Sequence, residues 1–146
     1  MKTNNLFWAL ACFLLLNAVP QQELSASADA THGALAAVMS VVDRWQPVLD
    51  GVFGALAVAQ EPGAAMRALD ALHGYGLALH GEAAALRRAW PELRRIYALP
   101  GLAPFFSRIA PHVGRYTAIL GQTEKRFAGH QDVLAALGRV RRLAGR

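Results

Sequence analysis

Residues 31–59 read THGALAAVMSVVDRWQPVLDGVFGALAVA. Within them Leu35, Val38, Val42, Trp45, Leu49, Val52 and Leu56 recur at alternating intervals of three and four. That spacing puts them on one side of a helix, close to a heptad seam. Asp43 and Asp50 share the opposite face. Pro47 falls inside the pattern and is expected to kink the helix or split it near Trp45, because proline removes a backbone donor and crowds the preceding turn.

Working outward, Glu61-Pro62-Gly63 reads as a turn with proline well placed to start the next helix. A second stripe follows: Ala65, Leu69, Leu72, Gly76, Leu79, Ala83, Leu86 and Trp90. Its side chains are small. Gly74, Gly76 and Gly81 are expected to serve tight helix packing, at up to about 1 kcal/mol each in helix propensity. Trp90-Pro91 is a break, a short helix runs on to Leu99, and Pro100-Gly101 stops it. A third segment starts near Pro104, carries Phe105, Ile109, Val113, Tyr116 and Leu120 on one side, and is interrupted by Pro111. Gly121-Gln122 reads as a turn, with Thr123 as the cap of a last helix reaching about Ala144. The apolar side of that helix holds Phe127, Val133, Leu134, Leu137 and Val140. No strand-like alternation occurs. The expected fold is all-α: an antiparallel bundle of four main helices plus a short connecting helix, forming one domain over 29–146.

Upstream, Met1-Lys2 gives a positive start, Leu6 to Leu16 is almost wholly apolar, and Ala26-Ser27-Ala28 is a small-x-small pattern. This order reads as a secretory signal peptide over 1–28, with Ala18 and Ala30 as other cut positions. Leu6 to Val19 is about 14 residues, against roughly 20 for a membrane-spanning helix. Without cleavage the same segment would anchor the domain. Cys12 is the sole cysteine and lies in the leader. The mature chain of about 118 residues therefore forms no disulfide and no thiolate metal site, and relies on packing for stability. Thirteen Arg against two Lys, with abundant Ala, fits a GC-rich bacterial genome, so the expected destination is the periplasm or beyond.

Charge divides along the domain. Between Asp29 and Leu86, six acids face two bases, a net −4; between Arg87 and Arg146, twelve bases face three acids, a net +9. Arg87, Arg88, Arg94 and Arg95 bracket Trp90-Pro91, and Arg139, Arg142 and Arg146 line the polar side of the last helix. A basic amphipathic helix suits an anionic lipid surface or an acidic protein partner. These seven arginines are the candidate contact residues. A solvated face is the plainer alternative. A third is that the acidic half faces the basic half within the chain and absorbs part of the field. Nucleic acid is an unsuitable target for an exported protein.

Catalytic chemistry finds little support. Ser40 and Ser107 are the only serines after the leader, and neither lies in a nucleophile motif. No cofactor is called for, and the expected function is non-enzymatic. The second reading is a ligand- or cofactor-binding bundle, with haem or metal near His73 and His80 and with Met66 on the same flank. Spacing of seven puts the two histidines roughly 10 Å apart along a helix, too far to share one ion. His112, His130 and Met39 are further haem candidates, against the ordinary roles of Met as core filler and His as an interface group. Three tryptophans and exposed apolar edges also permit a homodimer.

Overall fold

The structure, a computed structural model, describes residues 28–91 and 102–144, with side chains described over 33–91 and 107–143. The signal peptide expected over 1–28, except Ala28, the short connecting helix expected up to Leu99, and Arg94, Arg95 and Arg146 lie outside these residues. The described chain is all-α. Its helices are α1 (Ala28–Val58), α2 (Pro62–Ala89), α3 (Leu102–Arg126) and α4 (Gln131–Ala144), and no strand occurs among the described residues.

Pro47 does not split α1, nor does Pro111 interrupt α3. Both prolines are exposed. Each frees one carbonyl a turn earlier, and on the outer side of a helix water can take that carbonyl. The Glu61-Pro62-Gly63 turn is as the sequence suggests, with Pro62 opening α2 beside the extended Glu61. α2 ends at Trp90, whose amide bonds to Leu86 O at 2.8 Å.

The turn before the last helix is displaced from its expected position. Helix α3 passes through Gly121-Gln122 and ends at Arg126, and residues 127–129 make the turn. Thr123 is not a cap. It is buried inside α3, and its hydroxyl donates to Ile119 O at 2.8 Å, one turn back. A threonine hydroxyl satisfied in this way no longer competes with the helix.

The chain pairs as two hairpins. Trp45 meets Tyr75 and Arg44 meets Glu82, so α1 and α2 run antiparallel. Arg141 reaches back across the 127–130 turn to Glu124, closing α3 on α4. Between hairpins the order differs from that expected of short turns alone. Asp43 meets Arg108, Asp50 meets Tyr116, and Ala57 meets Arg126, so α3 lies parallel beside α1. Likewise Asp70 meets Arg139 and His80 meets Leu143, so α4 lies parallel beside α2. About a dozen residues separate Ala89 from Leu102, enough chain to release α3 from its sequence neighbour.

One core draws on all four helices. Phe53, Leu56, Leu69, Ile109, Tyr116, Val133 and Leu137 are its larger members. The first stripe is rotated slightly from its sequence reading. Val38, Val42, Leu49 and Leu56 are buried as expected, while Phe53 is buried and Val52 only partly so. The close contacts of small residues are at Gly76, where an added methyl would come 2.9 Å from Leu143, and at Gly33, where it would come 2.7 Å from the Trp90 ring. Gly74 and Gly81 do not share this role: an added methyl would meet nothing within 4 Å at either one.

Candidate functional site

The α1/α3 seam carries a ladder of polar pairs on its rim. Asp43 and Asp50 are seven apart, and so are Arg108 and Arg115. In parallel helices these equal spacings bring acid opposite base at two successive levels. Arg108 donates to Asp43, and Arg115 Nη1 lies 3.6 Å from Asp50 Oδ1. Asp50 also accepts from the Tyr116 hydroxyl. Tyr116 is fully buried, and its ring stacks on Phe53 at 4.1 Å between centroids. Burial, followed by the bond to Asp50, holds the Tyr116 phenol well above its ordinary pKa. His112 completes the cluster: its Nε2 lies 2.9 Å from Gln46 Nε2, and its Nδ1 lies 3.7 Å from Asp50 Oδ1. An amide N–H only donates, so the imidazole nitrogen facing Gln46 accepts. At the far end of the seam Arg126 donates to Ala57 O and Ala59 O at 3.0 and 2.9 Å, covering carbonyls at the close of α1.

Three acids of the first half therefore face bases of the second, while Glu82 pairs with Arg44 of its own half. Asp43, Asp50 and Asp70 meet Arg108, Arg115 and Arg139 respectively. Every such pair is neutral, so the chain's net +5 resides on other side chains. Of the seven candidate arginines, Arg139 is committed to Asp70, at 3.5 Å. Arg87 and Arg88 occupy the last turn of α2, half-buried and exposed respectively, and Arg142 is exposed in the last turn of α4. Because α2 and α4 are parallel, these last turns point toward the same end of the molecule. His80 Nε2 lies 3.1 Å from Leu143 O, which sets the level of Arg142 beside His80. Arg88 stands eight residues further along, about 12 Å at a rise of 1.5 Å per residue. Cations here also sit well with the partial negative charge of helix C-termini. Lys125 is exposed at the opposite end, in the last turn of α3.

The histidine candidates are not gathered together. His73 is half-buried on α2, and Met66 on the same helix packs against the core. His80 faces the end of α4, His112 lies in the α1/α3 seam, and His130 stands edge-on to Phe127 in the turn before α4. Met39 also packs against the core. Among the described residues no three His, Cys, Asp or Glu side chains are placed to hold a metal ion. No described helix is long and apolar enough to cross a membrane.

The sequence places Asp43 and Asp50 opposite the apolar stripe and allows the acidic half to face the basic half, but it does not single out their partners or Gln46. The available signal was the matching seven-residue interval between acids on one helix and bases on another. No family model matches the chain, and no curated protein or solved structure shows significant similarity to it.

Proposed function

We propose that this is an exported, non-enzymatic helical-bundle protein of the bacterial cell envelope that binds an anionic membrane surface. The arginine-rich second half makes the contact, at the end where α2 and α4 finish. One observation carries this reading: internal pairing takes up Arg108, Arg115 and Arg139, whereas Arg88 and Arg142 stand exposed on terminal turns that point the same way. Arg94, Arg95 and Arg146 are close in sequence to those turns. An array of cations on terminal turns collects anionic headgroups through long-range attraction, which salt screens over about 10 Å at 0.1 M.

The test is sedimentation of the protein with vesicles of anionic or neutral lipid at low and high salt. Binding to anionic vesicles that fades with salt is expected. Equal pelleting with neutral vesicles would overturn the electrostatic reading. Absence of pelleting, together with recovery of one acidic envelope protein in a pull-down, would move the same cationic surface to a protein partner.

A further inference from the structure

The outer face of α2 is unusual for a solvent-facing helix. Asp70, Gly74, Leu77, Gly81, Ala85 and Arg88 are exposed along it. Leu77, at 53% exposure, is one of only three large apolar side chains so exposed among the described residues. Gly74 and Gly81 sit on either side of it, each with open space where a side chain would be. A glycine in a helix interior costs about 1 kcal/mol relative to alanine. Nothing among the described residues requires that cost at these two positions, since the glycine packed against α4 is Gly76.

The face is self-complementary under a two-fold axis. Positions 70 and 88 are equidistant from 79, and so are 77 and 81. Two copies of α2 crossing antiparallel at this level therefore set Leu77 of each over Gly81 of the other. The same register sets Asp70 opposite Arg88 at both ends. An isologous contact repeats every pair twice, so a single acid–base match becomes two. Glycine and alanine at the crossing let the helix axes approach toward the short end of the usual 8–10 Å range. Asp70 also faces Arg139 of its own chain, at 3.5 Å with both side chains largely exposed, so it remains reachable by a second arginine.

We infer that the protein forms a homodimer through this face, with Leu77 seated against Gly81 and Asp70 paired to Arg88 of the partner copy. The test contains no lipid, so its outcome is separate from that of membrane binding; in the dimer Arg88 joins the paired charges and Arg142 remains exposed at the end of α4. Sedimentation equilibrium of the purified protein, in reducing buffer so that Cys12 forms no cross-link, should give a dimer. Arg88→Asp should raise the dissociation constant at least tenfold by setting acid against acid. The double variant Asp70→Arg/Arg88→Asp exchanges the charges and should recover most of the lost affinity. Leu77→Glu should give a monomer with an unchanged helical spectrum. A monomeric wild type at 100 µM, or failure of the charge exchange to rescue Arg88→Asp in a folded protein, would overturn the inference.

Discussion

The two parallel seams between the hairpins are built differently. The α1/α3 seam has a buried aromatic pair, Phe53 and Tyr116, and a charged rim anchored on Asp43 and Asp50. The α2/α4 seam is the more extensive, and it closes over small residues, with Leu143 lying against the bare backbone of Gly76. Charge is thus consumed along one seam. Along the other the Asp70–Arg139 pair is followed by exposed Arg88 and Arg142 in the last turns of the two helices. The sequence-level polarity between an acidic half and a basic half becomes a spatial division between paired charge and displayed charge.

The largest effect is expected from removing the aromatic pair. Tyr116→Ala should cost about 3–5 kcal/mol, as buried aromatic truncations do, and also leaves Asp50 without its hydroxyl partner. A shift in the urea midpoint reads this directly. On the other seam, Gly76→Val should cost about 1–3 kcal/mol, because Leu143 must move from a position 2.9 Å from the added carbon. The reverse order of costs would make the small-residue seam the main source of stability.

Tyr116→Phe separates packing from hydrogen bonding and should cost about 1 kcal/mol. It also carries a pH signature. The folded phenol is held above its ordinary 10.0, so its contribution is complete below pH 10 and falls away as pH rises beyond it. Wild-type stability should therefore decline above pH 10 with an added slope that the Phe variant lacks.

The smallest effect belongs to Glu124, whose bond to Arg141 holds its carboxyl below the ordinary value. A depressed carboxylate contributes above its unfolded pKa, and the contribution is lost as pH falls through the folded one. The pair is exposed, so Glu124→Gln should cost less than about 1 kcal/mol at neutral pH. A larger loss would mean that this rim pair matters as much as the buried seam.

Helix number and most of the core were legible in the sequence because period and volume suffice to find them. Val38, Leu49, Leu56, Leu69, Leu72 and Val140 are buried as their spacing requires. The boundary at Thr123 was not legible, since a threonine caps a helix or bonds back within one using the same hydroxyl. Whether Pro47 splits the helix was not legible either, because its cost depends on whether the freed carbonyl faces water. Which helix pairs with which was beyond a one-dimensional pattern. With α3 beside α1, Asp43 and Asp50 meet Arg108 and Arg115; with α4 beside α2, Arg139 meets Asp70 and is removed from the displayed set. The distinction between Gly76 and its neighbours Gly74 and Gly81 likewise appears only once α4 is in position.

The central claim is that location, rather than total charge, determines what the arginines do. Two single variants lower the net charge equally: Arg142→Ala at the displayed end, away from the Arg88 of the proposed dimer contact, and Arg115→Ala on the paired seam. Sedimentation with anionic vesicles at low salt should show binding reduced severalfold for the first and close to wild type for the second. Equal losses in both, with both folded, would contradict the division between paired and displayed charge.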